Sequence, residues 1–193
     1  MEYILTIKDF KAFENRPIKL KPLTVLAGSN SVGKSTIIQS LLISRFAYQE
    51  HLRFGSIINK NLPINGPFLL ELGNTTEVVR RGKKVSESKF YFTLECNGQE
   101  KMKLVLNGDI SSQDNYHITV LDAKFDAVGV NFLQDRFYYL SAERIGPRLK
   151  YEYEVQSFPH TGYKGENTFQ HLFGENSNVE PKRLFRKKEA PPL

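Results

Sequence analysis

Gly28-Ser29-Asn30-Ser31-Val32-Gly33-Lys34-Ser35-Thr36 decides how this chain is read. It fits G-x-x-x-x-G-K-[ST], a loop whose backbone N–H groups wrap the phosphates of a nucleotide. Two glycines let the chain turn so that successive amides face one anion. The Lys34 ammonium is then the candidate catalytic group, set against the β- and γ-phosphates, and the Ser35 hydroxyl is the candidate Mg²⁺ ligand. The flanks have the order such a loop needs. Leu23-Thr24-Val25-Leu26-Ala27 is an apolar run of strand formers, suited to a buried parallel strand. Ile37, Ile38, Leu41, Leu42 and Phe46 recur at helical spacing and predict a helix from about Lys34 to Leu52, its positive end on the same anion.

The rest of the chain is punctuated as short strands. Tyr3–Phe10 alternates apolar and polar residues, and Ile18–Lys21 follows as a second strand. Beyond a loop from Gly55 to Pro67, strand-type runs recur at Phe68–Leu72, Phe90–Glu95, Met102–Leu106, Tyr116–Leu121 and Phe137–Leu140. Asn97-Gly98 between alternating flanks is a hairpin signal. These runs predict an antiparallel β layer beside a nucleotide-binding sheet. Glu166–Phe173, stopped by Gly174, is a short helix candidate.

The chain has 193 residues, enough for one domain with a real core, and a net charge of +6. Its single cysteine, Cys96, cannot form an internal disulfide and sits in a strand pattern that suggests a buried thiol. No export signal opens the chain and no apolar run approaches a membrane span, so a cytoplasmic location without membrane partners is expected. Part of the positive charge is local. Lys182, Arg183, Arg186, Lys187 and Lys188 outnumber Glu180 and Glu189 in a tail ending in Pro191-Pro192-Leu193. Arg80-Arg81-Gly82-Lys83-Lys84 is a second basic cluster. Each suits either a solvated terminus or turn, or a contact with nucleic acid.

Three stretches together resemble one family. Ile7-Lys8-Asp9-Phe10-Lys11-Ala12-Phe13, then Ile18-Lys19-Leu20 with Leu23-Thr24-Val25-Leu26, then the phosphate loop, look like the opening of RecF/SMC-type ABC ATPases. Phe137-Tyr138-Tyr139-Leu140-Ser141-Ala142-Glu143-Arg144 and Gly165-Glu166-Asn167-Thr168 are similar to segments of bacterial OLD-like AAA/ABC ATPases, some of which serve in phage defence. The resemblance implies an α/β fold, the N-terminal lobe of an ABC-type P-loop NTPase over residues 1–175. It carries a mixed sheet around the loop, and 176–193 form a flexible tail. It implies ATP and Mg²⁺ as cofactors, held by Gly28, Ser29, Asn30, Ser31, Val32, Gly33, Lys34, Ser35 and Thr36. Lys11, in the Phe-Lys-x-Phe element, would lie near the nucleotide.

The implied role is an ATPase in DNA repair, DNA maintenance or phage defence. The implied partners are a second lobe or a second copy, with DNA and a nuclease as further candidates. The alternative is a non-catalytic nucleotide- or nucleic-acid-binding scaffold for a nuclease. The departures bear on catalysis. The sequence shows no Leu-Ser-Gly-Gly signature, no switch histidine and no apolar strand ending in Asp-Glu. Ile118-Thr119-Val120-Leu121-Asp122 comes nearest but is followed by Ala123 and suits a hairpin strand with a turn aspartate better. Ser141–Arg144 stand where these ATPases place a metal- and water-sensing glutamine. The expectation is an N-terminal lobe whose hydrolysis needs residues from elsewhere. Asp126-Ala127-Val128-Gly129 would suit a GTPase, but Asn59-Lys60-Asn61 is followed by Leu62 and comes before it. His51, His117, His160 and His171 lack metal-ligand spacing.

Overall fold

A computed structural model describes residues 2–84, 87–111, 115–126, 130, 133, 137–143 and 162–168. The chain divides into two units, Met1–Tyr138 and Tyr139–Leu193. The basic tail and most of the 166–173 helix candidate lie outside the described residues.

The first unit contains β1 (Tyr3–Phe10), β2 (Phe13–Leu20), α1 (Lys34–Phe54), β3 (Asn61–Pro63), α2 (Thr75–Val78), β4 (Lys89–Cys96), β5 (Gln99–Asn107) and β6 (His117–Phe125). The strands form one six-stranded sheet in the order β2-β1-β4-β5-β6-β3. Every neighbouring pair is antiparallel. The period-2 alternation puts one set of side chains on a single face. Leu5 pairs with Leu94, Ile7 with Phe92, Phe92 with Leu104, and Leu94 with Met102. All of these are at most 1 % exposed. Phe10, Phe90 and Phe92 form an aromatic cluster with centroids 5.0–5.6 Å apart. Such pairs contribute roughly 0.5–1.5 kcal/mol each beyond area burial. The opposite face is polar and crossed by the pairs Lys101–Asp126, Lys103–Asp122 and Lys124–Glu100. At Asn97-Gly98 both residues take positive φ, 52° and 74°, as a two-residue hairpin turn requires.

α1 runs two residues past the predicted Leu52, and of the five apolar residues that marked it Leu42 alone is fully buried. Ile38 is 40 % exposed, while Thr36, Ser40, Ile43, Ser44 and Ala47 face inward. Ser40 donates to the Ile37 carbonyl and Ser44 to the Ser40 carbonyl, so the buried hydroxyls cost little. Tyr48 closes the other end of the helix against Phe125, 5.2 Å between centroids.

Three expectations fail. Leu23–Ala27 forms no strand. Leu23 and Val25 are 82 % and 78 % exposed, because no strand among the described residues lies beside them to share backbone bonds. The sheet is therefore antiparallel throughout, not a mixed sheet around the phosphate loop with a separate β layer. Phe68–Leu72 is not a strand either. Pro67 cannot donate, Phe68 and Leu69 take φ of 52° and 57°, and a 3-10 turn spans Pro67–Leu69. Asn65 closes this loop by accepting from Leu72 N–H and Gly73 N–H and donating to the Gly73 carbonyl. Phe137–Leu140 carries no ladder bonds, and Tyr138 is 75 % exposed.

Candidate functional site

The phosphate loop leads directly into α1. Gly33 is the residue before the helix, at φ 97° and ψ 13°, and it offers no side-chain cap. Ile37 N–H bonds to the Gly33 carbonyl at 3.2 Å, so the amides of Lys34, Ser35 and Thr36 precede the first intrahelical bond. No acidic residue stands in the first turn to compete for these donors. Lys34 folds back over the loop, donating to the carbonyls of Gly28 at 2.8 Å and Ser29 at 2.5 Å. Gly28, Ser29, Asn30, Ser31, Val32 and Ser35 are exposed, and Thr36 is buried beneath them.

Both glycines take positive φ, 149° and 97°, and each has a side chain close beside the place a Cβ would fill. A Cβ at Gly33 would lie 2.4 Å from Phe13 Cζ, and one at Gly28 would lie 3.0 Å from Val32 Cγ2. This gives the Phe-Lys-x-Phe element a physical role: Phe10 is a core aromatic and Phe13 seats the phosphate loop. Ser31 takes φ 66°, a left-handed position that costs a non-glycine residue roughly 1–2 kcal/mol.

Lys11 stands two residues before Phe13, whose ring meets Gly33. It occupies the β1–β2 turn at φ 51°, its N–H bonded to the Val78 carbonyl at 2.8 Å. Its side chain lines a cleft with Glu77, Val79, Arg80 and Arg81, and among the described residues none from 28–36 lines that cleft. Burial pushes the Lys11 amine below the ordinary lysine value, against the opposing pull of Glu77.

The turn itself is held by residues that sequence reading passed over. Asp9, 6 % exposed, pairs with Lys83 at 3.2 Å and Arg80 at 3.8 Å, while Arg80 also reaches Glu14 at 3.2 Å. Nothing local announces a contact between positions so far apart in sequence. α2 was not expected from the sequence, although its start carries a signal: Asn74 accepts from Thr76 N–H, and Glu77 follows it at capping-box spacing.

Asp122 sits mid-strand in β6, three residues before its end, and not in a turn. The Lys103 ammonium, 2.8 Å away, holds its carboxyl below the usual range. It is a surface carboxylate paired with Lys103. Asp126, the first residue of the GTPase-like run, pairs with Lys101 at 2.8 Å. In the second unit Glu143 pairs with Lys164 at 3.1 Å, while Arg144 lies outside the described residues. The Gly165–Thr168 turn is closed by Thr168 N–H to the Gly165 carbonyl at 3.2 Å. Among the described residues no group of His, Cys, Asp and Glu could hold a metal ion, and no helix is long and apolar enough to cross a membrane.

A phosphate-cradling loop opening a long helix beside a β-sheet defines a P-loop nucleotide-binding ATPase. Residues 5–169 match the family model of the AAA domain, and the chain belongs to that family. No curated protein matches the chain, and no solved structure does.

Proposed function

We propose that this chain is the ATP- and Mg²⁺-binding lobe of an ABC-type ATPase that acts in DNA repair, DNA maintenance or phage defence, and that it hydrolyses ATP only with a second lobe or partner. The observation that carries the nucleotide part is the bond from Lys34 to the Gly28 and Ser29 carbonyls above a helix start free of acids. This cradle fits a triphosphate. The amides of residues 28–36 would hold the phosphate oxygens, and Lys34 would exchange two neutral acceptors for charged ones, a stronger class of bond. Ser35, exposed at the second helical position, would hold the metal. When bound, Mg²⁺ would neutralise charge between the terminal phosphates.

The need for a partner is supported by the exposed Leu23–Ala27 run, apolar residues leading into the loop without a neighbouring strand. Asp122 is engaged by Lys103, so the candidate acid of this chain is already committed. The DNA-linked role is supported by the resemblance of the three quoted stretches to RecF/SMC-type and OLD-like ATPases.

Calorimetry of ATP with Mg²⁺ tests the reading. Lys34→Ala should weaken binding roughly 100-fold, the loss expected for charge-assisted bonds to phosphate. Ser35→Ala should abolish the dependence on Mg²⁺, and phosphate release by the isolated chain should stay at background. A wild-type chain that does not bind ATP would remove the proposal.

A further inference from the structure

We propose that the paired clefts flanking Arg80 and Arg81, which no residue of the phosphate loop lines, form a groove for the phosphodiester backbone of a nucleic acid. One cleft, about 400 Å³, is lined by Lys11, Glu77, Arg80 and Arg81; the second, about 270 Å³, by Thr76, Arg80, Arg81, Lys83 and Ile110. They share Val79, Arg80 and Arg81, so the two concavities adjoin along one track. Cations reach it from two places in the sequence, the β1–β2 turn and the turn after α2. That second turn is closed by Lys83 N–H to the Arg80 carbonyl at 3.4 Å.

These cations fall into two classes. Arg80 and Lys83 are engaged in holding Asp9, and Arg80 also meets Glu14, so they fix the turn's position. Lys11 and Arg81 line the clefts and make no ion pair among the described residues; Lys84, just beyond the lining, makes none either, and Arg81 and Lys84 are exposed. The acid in the lining, Glu77, folds its carboxylate over Gly73, where an added Cβ would meet its oxygen at 2.3 Å. Fixed cations therefore present free ones along an open surface.

Shape selects the ligand class. A small metabolite is held by an enclosed, mostly apolar pocket that buries most of its surface. Here both clefts open to solvent and share Val79, Arg80 and Arg81, which suits a charged polymer lying across them. Backbone phosphates gain from releasing counterions to such cations without any base being read. An anion there would also favour the charged form of Lys11 against the effect of its burial.

The test is anisotropy of a short fluorescein-labelled DNA, duplex and single-stranded, titrated with the full chain over a range of salt. Replacing Arg81 and Lys84 together by Glu should lower affinity at least about tenfold. It should also flatten the slope of log K against log salt by about one per cation removed. The milder Arg81→Gln, Lys84→Gln pair should fall between, with circular dichroism reporting the fold. Lys34→Ala should leave DNA binding unchanged, which separates this groove from the nucleotide site. Equal affinity and slope in the Glu variant would overturn the proposal, as would a wild-type chain that binds neither DNA. A Glu variant that loses ATP binding while keeping DNA binding would overturn it too, assigning the groove to the nucleotide.

Discussion

The sheet and the phosphate loop are built on opposite principles. Across β1, β4, β5 and β6 each core side chain has a cross-strand partner, and the aromatic trio of Phe10, Phe90 and Phe92 lies wholly buried. From Leu23 to Gly33 the chain runs exposed or half-exposed, with no ladder beside it. It is secured where Phe13 meets Gly33, where Val32 folds over Gly28 and where Lys34 clasps two carbonyls. The sheet stores stability. The loop stores preorganisation for an anion and leaves apolar residues in solvent.

That contrast can be broken first at the sheet. Phe92→Ala should cost about 3–5 kcal/mol in chemical denaturation, since it removes a ring from the centre of the core. A loss below about 1 kcal/mol would mean the aromatic cluster is not the stabilising centre.

At the loop, the expected order of effects reverses. Gly33→Ala forces a side chain into a left-handed backbone and onto the Phe13 ring. Calorimetry should register about a tenfold loss of ATP affinity, with the global unfolding free energy down by about 1–2 kcal/mol. Equal ATP affinity in this variant would show that the Phe13 contact does not set the loop.

Leu23→Ser with Val25→Ser sharpens the comparison further. In the isolated chain the pair should shift unfolding by no more than about 0.5 kcal/mol, because neither side chain is buried. The same pair should weaken association with a second lobe in a pull-down or sedimentation experiment. A large destabilisation of the isolated chain would mean that this run is packed within it.

The smallest effect belongs to Asp122→Asn. The native carboxyl is held low by Lys103, so the pair's contribution is present above the unfolded carboxylate pKa and fades as pH falls through the lowered one. The side chain is about half exposed and solvent screens it. Thermal melts at neutral pH should hardly change, and ATP binding should be unaltered. A lost Mg²⁺ response would instead make Asp122 a metal-site residue.

What was legible in the sequence follows the range of the forces involved. α1, β1, the Asn97-Gly98 hairpin and the strands β4, β5 and β6 are set by local periodicity and turn chemistry, and these appear within a few residues of where they were expected. Leu23–Ala27 was misread because a parallel strand is defined by a neighbour, and apolar composition alone cannot supply one. Phe68–Leu72 was misread because Pro67 and the Asn65 clamp outweigh the apolar run. The buried stripe of α1 keeps Leu42 from the apolar spacing but is otherwise shifted, because Ser40 and Ser44 satisfy themselves on the helix and so pack inward. The Asp9 pairings join the end of β1 to residues some seventy positions away and left no local trace.

The two rims of the sheet have a consequence of their own. One is β2, mostly exposed and carrying Glu14, Asn15, Arg16, Pro17 and Lys19, and the other is the three-residue β3 with Pro63. Charge and proline on one side and shortness on the other make both poor templates for a visiting strand. Lateral growth of this sheet into fibres or swapped dimers is thereby discouraged. The run that feeds the phosphate loop has no such guard within it, for Leu23 and Val25 stand 82 % and 78 % exposed with neither charge nor proline between them.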